Sequence, residues 1–101
     1  MGCGVPAAVA AKIIEQHHHR TRSVLNFASD GDFLMNGQEL ANAVEYRTGV
    51  LFTIFNNGMY GTIRMHQERA YPARISGTKL HSPDFAALAR KHISPPPACG
   101  R

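Results

Sequence analysis

The sequence predicts an α/β domain with a parallel sheet of at least two strands. Two short apolar segments, residues 24–28 and 50–55, are rich in the β-branched and aromatic residues typical of buried strands. The segment between them carries apolar residues on one face of a helix. This crossover is long enough to bring the second strand back parallel to the first.

The first element is a helix that follows a glycine turn, within residues 1–16. Pro6 suits the first helical turn, and Val5, Val9 and Ile13 recur at helical spacing. Three consecutive histidines follow, at residues 17–19. Because three consecutive side chains cannot all face one metal ion in a regular element, we expect a solvated loop there.

The crossover helix has two candidate starts. It begins either at Asp32 or at Asn36, where Asn36 and Glu39 form a capping-box pattern. Its end is predicted near Tyr46, before the break at residues 48–49.

The second half contains two further helices. Residues 60–69 fit one helix, and residues 70–81 read as an irregular loop. Ser82-Pro83-Asp84 then starts a helix whose apolar side is predicted to serve packing only. The domain is expected to cover residues 1–93, followed by a divergent Pro-rich tail at residues 94–101 that cannot continue the sheet.

Two polar turns follow the predicted strands at the same sheet edge. The first is Ser29-Asp30-Gly31-Asp32 and the second is Asn56-Asn57-Gly58. An aspartate and an asparagine from neighbouring strand ends suit Mg²⁺, which prefers oxygen ligands, and the helix that follows Gly31 favours a phosphate. The pattern predicts a Mg²⁺ and diphosphate site. A helix cap and a tight turn would explain each residue separately, but not their pairing.

These turns carry a family resemblance. The segments DGDFLMNGQELANAVEY and NNGMYGTIRMHQER resemble the thiamine-diphosphate binding motif, in which Gly-Asp-Gly is followed by a spacer and Asn-Asn. The similarity is to the C-terminal domain of acetolactate synthase-like enzymes and covers most of residues 1–92. Ser29 departs from the motif, because the family has its first glycine there. The resemblance implies a partial three-layer α/β/α domain with a parallel sheet.

The resemblance also implies which residues bind the cofactor. The implied Mg²⁺ ligands are Asp30, Asn57 and the carbonyl of Met59. The implied cofactor contacts are Gly31, Asp32, Met59, Tyr60 and Met1. The position of Met1 holds the apolar residue that supports the bent cofactor in the family. No catalytic residue is assigned within this chain.

The implied function is that of a thiamine diphosphate and Mg²⁺ binding module. Acetolactate synthase-like enzymes decarboxylate 2-keto acids and join the product to an acceptor. In that family the glutamate that ionises the cofactor lies in a separate pyrimidine-binding domain of another chain or subunit, so we expect this 101-residue chain to be inactive alone. Two alternatives stay open: a non-catalytic remnant that keeps the motif, and an unrelated small Mg²⁺-phosphate binding domain.

Composition argues against other classes of function. The chain has 11 Lys and Arg against 7 Asp and Glu, but the basic residues are scattered and no nucleic-acid signature accompanies them. No apolar run is long enough for a membrane span, and no secretory signal pattern is present. We therefore expect a cytoplasmic protein that binds neither nucleic acid nor membrane. Cys3 and Cys99 lie near opposite ends and are expected to be free thiols.

Overall fold

A computed structural model of the chain describes residues 1–93. The elements in chain order are α1 (Gly4–His17), β1 (Val24–Ser29), α2 (Asp30–Asn36), a 3-10 turn (Gly37–Glu39), α3 (Leu40–Glu45), β2 (Val50–Phe55), α4 (Gly61–Ala70) and α5 (Phe85–Ile93). The predicted Pro-rich tail at residues 94–101, with Cys99, lies outside the described residues. Cys3 is a free, exposed thiol.

The two strands form a parallel sheet, which confirms the predicted α/β class. The register runs from Val24 opposite Val50 to Ser29 opposite Phe55. Both strands therefore end at the same edge, since they are parallel and in step along their whole length. The residues that follow them, Asp30 and the amide turn, start from adjacent positions.

The crossover helix starts earlier than either predicted position. α2 begins at Asp30, directly after β1, because Ser29 has an extended backbone and its Oγ accepts a hydrogen bond from the Asp32 amide at 3.3 Å. The Asn36 capping box is wrong: the Asn36 side chain donates to the Gly2 carbonyl at 2.6 Å instead. The crossover then continues as two further short pieces, the 3-10 turn and α3.

The core lies on one face of the sheet. Its buried residues are Val5, Ala28, Phe33 and Leu40, with Phe52, Ile54, Phe85, Leu88 and Ala89 packed against them. The ring of Phe33 is almost completely buried and meets the ring of Phe85 edge-on, with 5.4 Å between centroids. This contact fixes α5 against α2, so the predicted packing role of α5 is confirmed.

The opposite sheet face is exposed in the described part of the chain. Leu25, Phe27, Leu51 and Phe55 alternate along the two strands, and each is more than half exposed. The rings of Phe27 and Phe55 stack on each other, with 6.3 Å between centroids. The sequence predicted two buried strands, and that prediction fails for this face within residues 1–93, because the core packs against the other face. Residues 1–93 therefore form two layers, the sheet and the helices on one of its faces, of the three-layer domain that the resemblance implied.

The histidine run lies on the surface at the end of α1. α1 ends at His17, and His18 and His19 follow in an exposed turn. Within residues 1–93, no group of three His, Cys, Asp or Glu side chains is arranged to hold a metal ion. No helix in this range has the length and apolar character needed to cross a membrane.

Candidate functional site

Asp30 is the centre of the candidate site. It follows β1 directly, and its relative exposure is 0%. Its Oδ1 accepts a hydrogen bond from the Gly31 amide at 3.0 Å, and its Oδ2 accepts from the Gly58 amide at 2.9 Å and from Ser82 Oγ at 3.0 Å. All three donors are neutral. Among the described residues, no basic side chain forms an ion pair with this carboxylate.

The bond from Gly58 to Asp30 joins the acidic turn to the amide turn. The sequence predicted that these turns meet at one sheet edge, and the 2.9 Å contact places them together. Gly58 has φ +67°, a left-handed conformation that residues with a Cβ rarely adopt. A glycine here lets the amide turn bend so that its backbone N–H points at the carboxylate.

A segment from the second half of the chain runs along the amide turn. We call residues 78–82 the strap. The Tyr60 amide donates to the Thr78 carbonyl at 2.8 Å, and the Leu80 amide donates to the Gly58 carbonyl at 2.8 Å. The strap lies mainly in the predicted irregular loop, and these two bonds hold it beside the site.

The backbone amide and carbonyl of Met59 do not take part in the hydrogen bonds to the strap. Met59 faces Lys79 in an isolated antiparallel bridge whose hydrogen bonds are made by the neighbouring residues. The amide of Met59 donates instead to Asn57 Oδ1 at 3.1 Å. The carbonyl of Met59 thus lies outside the bridge, on a turn that also carries the Asn57 side chain.

Gly31 lies directly under the ring of Tyr60. A Cβ at this position would come 2.5 Å from Tyr60 Cε1 and 3.0 Å from Leu80 Cδ1. These distances are shorter than van der Waals contact, so only glycine fits without displacing the ring. The absence of a side chain at Gly31 therefore leaves room for the protein's own Tyr60 and strap.

Replacing Gly31 with alanine is expected to destabilise the fold by about 1 to 2 kcal/mol, because the Tyr60 ring must move. Urea unfolding followed by circular dichroism measures this change. Gly49→Ala is the matched control, since a Cβ at Gly49 meets nothing within 4 Å. Equal losses in the two variants would show that position 31 is not tightly packed.

A cavity of about 180 Å³ opens beside the two turns. Its lining residues are Met1, Ser29, Asn57, Met59, Tyr60, Gly61, Thr62 and Ile63. Four residues that the family resemblance implied, Met1, Asn57, Met59 and Tyr60, thus border one space. Asp30, which follows Ser29 in the chain, is fully buried and is not itself part of this lining.

Gly31 and Asp32 do not line this cavity. The Gly31 amide donates to Asp30 Oδ1, and the Asp32 amide donates to Ser29 Oγ. The Asp32 carboxylate accepts a hydrogen bond from the Gly2 amide at 2.6 Å. Asp32 therefore holds the N-terminal turn against the start of α2, a role that sequence reasoning did not foresee.

Sequence reasoning also missed the first turn of α4. Gly61, Thr62 and Ile63 line the cavity, and Tyr60 provides no side-chain cap for the helix. The first amides of an α-helix have no intrahelical acceptor, and the helix dipole is positive at this end. This turn therefore suits an anion in the cavity. A helix that starts directly after a polar turn is the signal that could have identified it.

The oxygen atoms at the site fit Mg²⁺. A carboxylate has about four acceptor positions, of which the three hydrogen bonds to Asp30 occupy three, so one position remains on Oδ1. A buried carboxylate without a cation is costly, and a bound metal would offset that cost. One carboxylate, the Asn57 amide oxygen and the Met59 carbonyl form a set of hard ligands suited to Mg²⁺, with water and phosphate completing the shell.

Known proteins resemble this chain in sequence and fold. Residues 1–94 match the family described as thiamine pyrophosphate enzyme, C-terminal TPP binding domain. An acetolactate synthase from Arthrospira platensis is 41% identical over 91 residues, covering 88% of this chain and 15% of that protein. A pyruvate oxidase from Lactiplantibacillus plantarum is 36% identical over 89 residues, covering 88% of this chain and 14% of that protein.

A solved structure shows the same fold. A thiamine diphosphate-dependent 4-hydroxybenzoylformate decarboxylase from Rhodococcus jostii superposes with a TM-score of 0.80 and 29% identity, covering 91% of this chain and 17% of the decarboxylase chain. The chain thus spans less than a fifth of the length of each of these three proteins. The predicted resemblance is confirmed, and with it thiamine diphosphate as the cofactor of the family. The chain belongs to the thiamine pyrophosphate-binding C-terminal domain family of thiamine pyrophosphate enzymes.

Proposed function

We propose that this chain binds thiamine diphosphate together with Mg²⁺, as the diphosphate-anchoring module of an acetolactate synthase-like enzyme. The observation that carries the proposal is Asp30, a fully buried carboxylate that has no basic partner in the described part of the chain. It directly follows Ser29, which lines the cavity. Its hydrogen bond to Gly58 brings it next to the amide turn. A buried negative charge between two turns favours a cation there.

Three residues would hold the metal. They are Asp30 through Oδ1, Asn57 through its amide oxygen, and Met59 through its carbonyl. Asn57 Oδ1 already accepts the Met59 amide, which fixes the side chain and leaves a second acceptor position on the same atom. When bound, the cofactor supplies the electron sink for chemistry at a 2-keto acid, and the protein supplies its placement.

The first turn of α4 would bind the diphosphate. Its amides and the positive end of the helix dipole border the cavity that Asn57 and Met59 line. Ser29 also borders it. Ser29 Oγ accepts the Asp32 amide, so the hydroxyl proton stays available to a phosphate oxygen. We therefore propose that serine at this motif position keeps the site functional.

The remaining residues of the proposed site have two different roles. The amides of Gly31 and Asp32 already have acceptors inside the protein, so we assign these residues to shaping the acidic turn. Tyr60 and Met1 line the cavity, where they would contact the cofactor. Met1 is 74% exposed, and a bound ligand would bury part of its apolar surface.

The proposed substrate class is a 2-keto acid. The names of two similar proteins contain pyruvate and 4-hydroxybenzoylformate, which are both 2-keto acids. The proposed partner is a pyrimidine-binding domain of another chain or subunit, because the described residues contribute one wall of a cofactor cleft. The proposed location is the cytoplasm.

Thermal unfolding tests the proposal. Mg²⁺ and thiamine diphosphate together should raise the melting temperature, while either one alone should change it little, because metal and diphosphate bind as a unit. Ligand at a hundredfold over its dissociation constant adds about 2.7 kcal/mol, which corresponds to roughly 10 to 20 °C for a domain of this size. Thiamine without phosphate is the control. No shift with both ligands would favour the non-binding remnant.

A further inference from the structure

Ser82 makes a hydrogen bond whose role was not predicted. Its hydroxyl donates to Asp30 Oδ2 at 3.0 Å across a separation of 52 residues. The other two donors to this carboxylate are backbone amides, from Gly31 and Gly58. Ser82 is therefore the only side chain among the hydrogen-bond donors that the described structure gives to Asp30.

Ser82 is not needed as the N-terminal cap of α5. Asp84 performs that task, because its Oδ1 accepts the Ala87 amide at 2.9 Å. The strap is also held without Ser82, through the bond from Leu80 to the Gly58 carbonyl. The hydroxyl of Ser82 is thus directed at Asp30, while separate contacts maintain the helix start and the strap.

The hydrogen bonds divide unequally between the two carboxylate oxygens. Oδ2 accepts from both Gly58 and Ser82, so its two acceptor positions are filled. Oδ1 accepts only from Gly31, so one position stays open. A cation that approaches Asp30 can therefore bind through Oδ1, while Oδ2 is held by its donors.

We propose that Ser82 is a positioning residue that restricts Asp30 to one-oxygen coordination and so favours Mg²⁺ over Ca²⁺. This inference rests on the proposed function. Mg²⁺ requires compact, near-octahedral coordination, whereas Ca²⁺ is larger and accepts both oxygens of one carboxylate. With Ser82 in place, both acceptor positions of Oδ2 are occupied, so two-oxygen coordination is blocked. Without the Ser82 hydroxyl, Oδ2 keeps only its bond from Gly58, so one position opens on each oxygen and both can coordinate the metal.

Isothermal titration with each metal tests this role. Mg²⁺ and Ca²⁺ are titrated separately into the chain in the presence of the same fixed excess of thiamine diphosphate. Ser82→Ala should raise the dissociation constant of Mg²⁺ by about tenfold, as is typical when a hydrogen-bond partner of a metal ligand is removed. Ca²⁺ should weaken much less, so the preference for Mg²⁺ falls. Ser82→Thr keeps the hydroxyl and should restore the wild-type preference.

Asp84→Ala is the matched structural control. It removes the cap of α5 two residues away and should lower the melting temperature without changing the preference between the two metals. If Ser82→Ala does not fold, Ser82→Cys decides the question, because it keeps the size of the side chain and has only a weak donor. An unchanged preference in the folded variant, or equal weakening of both metals, overturns the inference alone. Absence of saturable Mg²⁺ binding by the wild-type chain overturns the proposed function as well.

Discussion

Asp30→Ala is expected to abolish the stabilisation that Mg²⁺ and thiamine diphosphate give to the wild-type chain. Asp30 supplies the one carboxylate among the proposed ligands, and the remaining oxygens of Asn57 and Met59 are neutral. Mg²⁺ seldom binds to proteins without a carboxylate. The loss should equal the whole ligand contribution, about 2.7 kcal/mol at a hundredfold excess over the wild-type dissociation constant. Differential scanning fluorimetry with and without both ligands measures it.

Two further variants separate binding from folding. Removing the Asp30 side chain also leaves the Gly58 amide and the Ser82 hydroxyl without their acceptor, so Asp30→Ala should be less stable before ligand is added. Asp30→Asn keeps the shape and one acceptor oxygen, and should fold better while still losing the shift. Glu45→Ala removes an exposed carboxylate at the end of α3 and should keep the full shift. A full shift in Asp30→Asn would contradict the metal assignment.

The sheet was predictable because its signals are local. Residues 50–55 form an apolar run bounded by turn residues, and β2 has these bounds in the structure. The parallel pairing followed from the length of the crossover. The start of α2 was not predictable in the same way, because it depends on whether Ser29 adopts an extended backbone and caps the Asp32 amide. Asp32 and Asn36 are equally good caps by composition, and both side chains bond to Gly2 instead.

The candidate site also combines locally predictable features with features that depend on long-range contacts. The motif predicted that Asp30 and the amide turn meet, because both follow strands of one parallel pair. The role of Ser82 was not predictable, because its bond to Asp30 depends on how the strap runs past the amide turn. The contact between Gly31 and Tyr60 is likewise long-range. Local patterns identify the proposed metal ligands, whereas the donors that orient Asp30 come from tertiary packing.

The exposure of one sheet face was not predictable from the sequence. Phe27 and Phe55 have the character of buried residues, and the sequence gives no sign of which face the described helices cover. In the structure they are 64% and 62% exposed and stack on each other. Apolar strand residues show that a sheet face is suited to burial. The face is buried only when another element packs against it.

The purified 101-residue chain is expected to show no measurable CO₂ release from pyruvate, even when Mg²⁺ and thiamine diphosphate are bound. The cavity is lined by Met1, Ser29, Asn57, Met59, Tyr60, Gly61, Thr62 and Ile63, a set without an Asp, Glu, His, Lys or Arg side chain. No carboxylic acid or imidazole is therefore placed there to move a proton. Enzymes of ordinary efficiency accelerate reactions at least about a millionfold, so a missing proton-transfer group and open cavity walls should reduce turnover below detection.

A coupled steady-state assay of CO₂ release decides this prediction, with Asp30→Ala as the blank. Binding is checked first by the melting-temperature shift, so that inactivity is measured on a loaded chain. A pyrimidine-binding domain from a similar acetolactate synthase is then added. It should restore turnover that depends on Asp30, because it supplies the proton-transfer group and the second wall of the cleft. Turnover by the wild-type chain alone, absent from Asp30→Ala, would show that these residues suffice for catalysis and would overturn the proposed division of roles between the two domains.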